Sequence, residues 1–163
     1  MTPFAIALGS NLGDSRAVLS DAVARLRRTE GVQVDAVSRL YRTAPVGGVE
    51  QPDYLNAVLV GRTSRDAAAL LALCHEIEDA HGRTREVRWG ARTLDLDILT
   101  LGDVRADEPG LTLPHPRAHE RAFVLIPWLD ADPAADIPGR GSVQKLLQAA
   151  DAEGVRLDDV GWQ

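Results

Sequence analysis

Two aspartates in an otherwise apolar stretch are the residues best suited to chemistry in this sequence. Asp95 and Asp97 alternate with Leu94, Leu96 and Ile98, and a strand with this pattern directs both carboxylates to one face. Their Cβ atoms would lie roughly 6.6 Å apart, close enough to bind one divalent cation or a pair of them. Oxygen-only ligands favour Mg²⁺. A solvated acidic strand face is the alternative that this pattern leaves open.

A positively charged segment lies just upstream, in which Glu86 is the only acid and the cations are Arg83, Arg85, Arg88 and Arg92. Guanidinium groups bind phosphate oxygens in a bidentate manner, so the segment suits a polyphosphate. A solvated loop paired with nearby acids is the alternative.

Magnesium carboxylates beside arginines are the minimum equipment for phosphoryl transfer. The Gly-x-x-x-x-Gly-Lys-Ser/Thr motif is missing, which excludes a P-loop enzyme.

The segments 41–47 and 51–57 bring an aromatic ring, an amide and a hydroxyl near one another. These groups suit a flat, polar heterocycle, and Tyr54 and Phe123 could form the two walls of a stacking slot. Burial of both rings in the core is the alternative, and the sequence taken alone favours it.

Histidines add weaker signals. His115 is followed by His119 and Arg121, which could contact a phosphate or an adenosine group. No histidine shows a zinc spacing with Cys74, so a zinc site is not expected. Cys74 lies among Leu70, Leu71, Leu73 and Ile77, as expected for the buried face of a helix.

Hydrophobic periodicity predicts the elements that position these residues. Val18, Leu19, Ala22, Val23 and Leu26 share one helical face. Asp14 or Ser15 is the predicted N-cap of that helix and Gly31 its stop, and Ser64 is the predicted N-cap of a second helix. The predicted order is a strand over 4–8, a helix from 15, a bulged strand over 32–41, a loop over 43–53, a strand over 54–63, a helix to about 81, a charged loop over 83–93 and a strand over 94–101.

This order is that of a ferredoxin-like α+β sandwich, in which helices cover one face of an antiparallel sheet. Beyond Gly102 the pattern weakens, and helical pieces are expected near 120–129 and 142–150. With 163 residues, 45% of them apolar, and without an internal repeat, the sequence predicts a single domain over 1–163.

The formal net charge of −6 argues against broad binding to nucleic acid or to an anionic membrane. Residues 1–8 lack the charged start of a secretory leader, and no apolar run approaches the roughly 20 residues that span a bilayer. The sequence therefore predicts a cytoplasmic protein.

Five segments, in order along the chain, closely resemble the hydroxymethyldihydropterin pyrophosphokinase family. The run Arg-Trp-Gly-x-Arg-Thr-Leu-Asp-Leu-Asp is typical of that family, and the similarity spans nearly the whole sequence. The matching segments are 9–13, 41–43, 51–56, 88–97 and 114–116.

The resemblance implies a monomeric ferredoxin-like enzyme that converts ATP and 6-hydroxymethyl-7,8-dihydropterin to AMP and the pterin diphosphate. By the family pattern, Asp95 and Asp97 hold two magnesium ions and act in catalysis with Arg83 and Arg92. Tyr54 and Phe123 would enclose the pterin ring, and its edge would meet Thr43, Val46 and Asn56. The residues implied to bind ATP are His75, Glu78, Arg83, Arg85, Trp89, Arg92, Ile98, His115 and Arg121.

Two positions depart from the family pattern. His75 stands where the family often has Gln, and Pro116 stands where Tyr often follows the histidine. Both concern nucleotide contacts. The alternatives to this function are a non-catalytic module that binds a nucleotide or pterin, and a kinase that transfers one phosphoryl group and yields ADP.

Overall fold

The structure is a computed structural model that describes residues 1–44, 51–82 and 93–162. Its elements, in chain order, are β1 (Thr2–Ser10), α1 (Ser15–Arg28), β2 (Val32–Val37), β3 (Tyr41–Thr43), β4 (Tyr54–Thr63), α2 (Ala67–Ala80), β5 (Asp95–Leu101), β6 (Ala106–Glu108), β7 (Leu111–Leu113), a 3₁₀ helix (Ala118–Glu120), α3 (Ala122–Ala131), β8 (Asp136–Ile137), β9 (Gly141–Ser142), α4 (Val143–Ala149) and β10 (Arg156–Leu157).

The main sheet is antiparallel and six-stranded, with the order β10-β3-β4-β1-β5, and β2 also pairs with β4. Because β2 and β3 lie consecutively along the same partner, β4, they occupy one strand position between them. The order β5, β1, β4, then β2 with β3, is that of the split βαβ sandwich. The predicted ferredoxin-like α+β fold is therefore confirmed.

The predicted single strand over 32–41 is interrupted at Ser38. The bulge is present, with a register shift between Val34 and Ala36. At Ser38 the hydroxyl accepts from the Val58 amide at 2.9 Å, and the next amide, that of Arg39, donates to the Asp130 carboxylate at 2.8 Å. The Ser38 amide keeps its hydrogen bond to the Val58 carbonyl at 2.9 Å, but a side chain replaces the reciprocal one, and the strand resumes as β3.

Both long helices begin with an aspartate cap. Asp14, one of the two predicted caps, accepts from the Ala17 amide at 3.2 Å. The prediction of Ser64 as the cap of α2 was wrong, since Asp66 accepts from the Ala69 amide at 2.8 Å. The Ser64 amide instead donates to the Gly31 carbonyl at 3.0 Å, which extends the contact between the ends of β2 and β4.

The sheet carries a core on each face. Phe4, Ile6 and Leu8 pack with α1 and α2 on one face, and the neighbouring Ala5 lies in a second cluster with α3 and α4. The expectation that helices cover one face was wrong, because α3 and α4 cover the other face. Both helices come from the weakly patterned region after Gly102. Cys74 is fully buried, as predicted. Within the described ranges, no helix has the length and apolar character needed to cross a bilayer.

Candidate active site

The two aspartates of β5 share one face of the sheet, as the alternation predicts. Leu94, Leu96 and Ile98 belong to the core beneath α1 and α2, so Asp95 and Asp97 point to the α3 face. Asp95 is half-buried and Asp97 is exposed. The carboxylates therefore lie at the sheet surface, where a ligand can reach them.

Gly9 of β1 lies between two predicted site residues on the neighbouring strands. It pairs with Asn56 of β4 and with Asp95 of β5, and directly opposed residues of an antiparallel sheet point to the same face. Asn56 and Asp95 are thus about 10 Å apart, two strand spacings. A Cβ at Gly9 would lie 3.5 Å from the Asn56 Oδ1 and 3.8 Å from the Tyr54 ring, so the side chains of Asn56 and Tyr54 border this glycine.

The amide and hydroxyl groups expected to meet a heterocycle are close together. The Asn56 side-chain amide donates to the Thr43 hydroxyl at 2.9 Å, and both side chains are buried. Tyr54, two residues before Asn56, is half-buried and lies on the same face. In the loop after β1, the Asn11 side-chain amide donates to the Gln51 side chain at 2.7 Å and to the Pro52 carbonyl at 3.0 Å. This contact positions the segment that leads into Tyr54.

The start of α3 supplies an arginine and an aromatic ring to the same face. The Arg121 guanidinium lies 5.7 Å from the centre of the Phe123 ring. Burial lowers the pKa of Arg121, and the charge of Asp97 opposes that shift. Asp97 is therefore near enough to Arg121 to influence its titration.

A pocket of about 420 Å³ opens at the edge of the sheet beside β5. α2, β5, the β6–β7 hairpin and the segment after β7 form its walls. Four predicted ATP-binding residues line this pocket together with Asp97, namely His75, Glu78, Ile98 and His115. Since Asp97 also lies on the α3 face, the pocket extends to one of the two aspartates.

Glu78 and His115 tie the pocket to the edge strand β5. The buried Glu78 carboxylate accepts from the Leu96 amide at 2.9 Å, and the His115 amide donates to the Leu99 carbonyl at 2.9 Å. Burial, reinforced by the charges of Arg121 and Arg117, lowers the pKa of His115 to about 4. Its Nδ1 accepts from the Arg117 amide at 3.1 Å, which leaves Nε2 to carry the proton of the neutral ring.

A self-contained metal cage is not found among residues 1–44, 51–82 and 93–162, since no group of three or more His, Cys, Asp or Glu side chains there is arranged to hold an ion. Two carboxylates at an open surface match the way in which Mg²⁺ is commonly bound, with water and substrate phosphates as its other ligands. The donor set therefore fits magnesium bound together with a polyphosphate.

Comparisons with known proteins agree with the chemistry that this donor set suggests. Residues 5–133 match the family model described as 7,8-dihydro-6-hydroxymethylpterin-pyrophosphokinase. The chain belongs to this family. Over 152 residues it is 43% identical to the 2-amino-4-hydroxy-6-hydroxymethyldihydropteridine pyrophosphokinase of Bacillus subtilis (strain 168), covering 93% of this chain and 87% of that one. The Mycobacterium tuberculosis (strain H37Rv) protein of the same name is 40% identical, with 96% and 90% covered.

The fold of this pyrophosphokinase family member is also similar to that of a solved structure, Plasmodium falciparum HPPK-DHPS wild type. The TM-score is 0.67 at 13% identity. The similarity covers 91% of this chain and 44% of the Plasmodium chain. At that level of identity the similarity supports the shared fold.

Several predicted site residues lie outside the described part of the pyrophosphokinase chain. They are Val46, Arg83, Arg85, Trp89 and Arg92. Sequence reasoning in turn missed part of the pocket wall, namely Leu71, Gly110, Leu111 and Thr112, whereas Pro116, noted from the family pattern, does line the pocket. The Pro109-Gly110 turn between two short apolar-alternating segments was the available signal for a hairpin at this place.

Proposed function

We propose that this chain transfers pyrophosphate from ATP to 6-hydroxymethyl-7,8-dihydropterin, in folate biosynthesis, at the α3 face around Gly9. The products are AMP and 6-hydroxymethyl-7,8-dihydropterin diphosphate. One observation carries this placement: Asn56, Gly9 and Asp95 form a row across three strands. The row supports this placement because groups suited to a pterin edge lie on one side of Gly9 and groups suited to a metal-bound polyphosphate lie on the other.

The pterin would bind on the β3–β4 side of Gly9. Its ring would stack between Tyr54 and Phe123, and its polar edge would meet Thr43, Val46 and Asn56. The hydrogen bond between the Asn56 and Thr43 side chains supports this placement of the polar edge, because it holds the Asn56 amide in one orientation before the ligand binds. A fixed polar edge selects a heterocycle by its hydrogen-bonding pattern.

ATP would bind on the other side of Gly9, in the pocket at the edge of β5. Nucleotide contacts are assigned to His75, Glu78, Ile98, His115 and Arg121, and also to Arg83, Arg85, Trp89 and Arg92. The lowered pKa of His115 supports a neutral ring that donates from Nε2 at physiological pH. His115 would then contact the nucleotide as a hydrogen-bond donor and not as a cation.

Asp95 and Asp97 would hold magnesium, and two ions fit the family pattern. When bound, magnesium neutralises negative charge on the phosphates of ATP during transfer. The protein positions the two substrates. The pterin hydroxyl oxygen forms a bond to the β-phosphorus of ATP, the bond from that phosphorus to the α-phosphate oxygen breaks, AMP leaves, and the hydroxyl proton is lost.

Arg83, Arg92 and Arg121 would neutralise charge that develops on the transferred group and on AMP. No covalent intermediate with the protein is needed, because positioning and charge neutralisation are sufficient for phosphoryl transfer.

The chain would act as one domain over 1–163, as a cytoplasmic monomer that binds these small molecules and no nucleic acid. The two core clusters on opposite faces of one sheet support a single domain. The formal net charge of −6 supports a monomer with little affinity for nucleic acid. Sedimentation equilibrium tests the monomer, since a mass well above 17.6 kDa would contradict it.

The decisive experiment incubates the purified chain with magnesium, ATP and the reduced hydroxymethyl pterin, and identifies the products by phosphorus NMR. We expect AMP and a pterin diphosphate. ADP would instead indicate transfer of one phosphoryl group, and unchanged ATP would favour the non-catalytic binding module.

A further inference from the structure

A short segment late in the chain, residues 156–162, lies against the pterin side of the sheet. We call it the C-terminal strap. It lies beyond residues 5–133, which match the family model. β10 pairs with β3, the Asp158 amide donates to the Leu40 carbonyl at 2.9 Å, and the Trp162 indole donates to the Ser38 carbonyl at 2.8 Å.

Asp158 is the centre of these contacts, and its side chain is only 3% exposed. Its carboxylate accepts from Arg16 at 2.7 Å, from Arg42 at 2.8 and 3.2 Å, and from the Gly161 amide at 3.0 Å. These donors hold the pKa of Asp158 at about 2 against the opposing effect of burial. One carboxylate thus joins α1, β3 and the strap itself.

Three residues bound by the strap lie close in the chain, or through one hydrogen bond, to residues at the proposed pterin site. Arg42 directly precedes Thr43. Arg156 donates to the Asp53 carboxylate at 3.3 Å, and Asp53 directly precedes Tyr54. Arg16 follows Ser15, whose hydroxyl accepts from Ser10 at 2.9 Å, and Ser10 is the residue after Gly9.

The nucleotide pocket is built from other elements. Its walls are α2, β5, the β6–β7 hairpin and the segment after β7. The strap instead forms hydrogen bonds with α1, with residues 38–42 and with Asp53, the residue before β4. A change in the strap should therefore alter the affinity for the pterin more than the affinity for ATP.

We propose that Asp158 is a positioning residue, through which the C-terminal strap holds the pterin-binding segments in place and sets the affinity for the pterin. Asp158 acts through Arg42 and Arg16 and does not itself touch the substrate. This inference rests on the proposed function, because it takes Thr43, Tyr54 and Asn56 as the pterin contacts.

The test compares Asp158→Asn with the unaltered enzyme in steady-state assays and in equilibrium binding of the pterin and of a non-hydrolysable ATP analogue. We expect the KM and Kd for the pterin to rise by about tenfold or more, since small displacements of positioning groups have effects of this size or larger. The KM for ATP, the Kd for the analogue and kcat should stay within about twofold, because among the residues that the structure describes the strap forms no hydrogen bond with the pocket residues assigned to ATP, and distant sites act independently.

Asp35→Asn is the control for loss of an Asp–Arg pair. Asp35 is more exposed than Asp158 and accepts from Arg62 at 3.2 Å, at the end of β4 away from Tyr54. The control variant should leave both KM values unchanged. A loss of general stability alone would lower the active fraction, and thus kcat, without separating the two substrates.

A milder variant covers the case in which Asp158→Asn does not fold. Arg156→Gln removes an exposed pair, since the Arg156 side chain is 62% exposed, and should raise the pterin KM by about two- to threefold, in line with the small energies of such pairs. An unchanged pterin KM in a folded variant, or equal changes for both substrates, would overturn the inference. If the unaltered enzyme makes no AMP, the proposed function fails instead.

Discussion

Asp97 lies on the α3 face and also lines the pocket beside β5, so its carboxylate should matter more for turnover than for folding. In Asp97→Ala we expect AMP formation to fall by about 10²- to 10³-fold, as is typical when a group that stabilises transition-state charge is removed. The melting temperature without magnesium should change little, because Asp97 is exposed and substitutions at exposed positions usually have small effects on stability. Assays of product formation and thermal unfolding check both parts.

The control for this prediction is Asp136→Asn, which alters an exposed aspartate of β8. It should retain full activity. Substantial turnover by Asp97→Ala in the presence of magnesium would contradict the metal assignment.

His115 provides a prediction about pH. Its pKa is about 4 in the folded protein and near 6.5 when the side chain is free, so between these values the unfolded chain binds more protons than the folded chain. The neutral ring therefore stabilises the fold fully above pH 6.5, and that stability is lost as the pH falls toward 4. His115→Gln should flatten this part of the pH dependence.

The measurement is the free energy of unfolding in urea at pH 7 and at pH 5, for both proteins. The ring resonances of His115 should titrate well below pH 6 by NMR in the unaltered protein. A midpoint near 6.5 would show that burial does not suppress the charge of this ring.

At the scale of elements, the edge strand β5 depends on a side chain from α2. Glu78 accepts from the Leu96 amide at the side of β5 that faces away from β1. Glu78→Ala should leave that buried amide without its acceptor and destabilise the fold by about 1–3 kcal/mol. Glu78→Gln, which keeps a carbonyl acceptor, should cost clearly less.

Urea unfolding distinguishes the two variants, and binding of an ATP analogue adds a second readout. The resemblance to the family assigns Glu78 to ATP, and the structure shows that the same carboxylate also anchors β5. Equal stability of Glu78→Ala and the unaltered protein would contradict this anchoring role.

The elements that sequence predicted well are those with strong local patterns. α1 and α2 follow from their apolar stripes, and β5 follows from the alternation around Asp95. The break at Ser38 was missed because it depends on Asp130, which is distant in sequence. The short strands β6 to β10 contain two or three residues each, too few for a period to be visible.

The candidate site shows the same division. Local alternation predicted that Asp95 and Asp97 share a face, and the family resemblance supplied Thr43, Tyr54 and Asn56. The row through Gly9 could not be predicted, because it depends on the register of three strands that are far apart in sequence. The pairing of Asn56 with Thr43 likewise needs the β3–β4 register.

At the scale of the whole molecule, different helices cover the two faces of the sheet and contribute to different parts of the candidate site. α1 and α2 cover one face, and α2 extends from it to the nucleotide pocket. α3 covers the other face and brings Arg121 and Phe123 toward Asp97. The region after Gly102, which the sequence pattern left weakly defined, therefore completes the site as well as the second core.

The late position of the C-terminal strap also affects how the enzyme is made. Ribosomes release the N-terminal elements first, and these fold first, so β1 to β5 and the pocket beside β5 emerge before β10, Asp158 and Trp162. On the proposed role of Asp158, a chain that ends after α4 should keep its affinity for an ATP analogue and bind the pterin more weakly. The order of synthesis would then make nucleotide binding the earlier of the two abilities that the chain acquires.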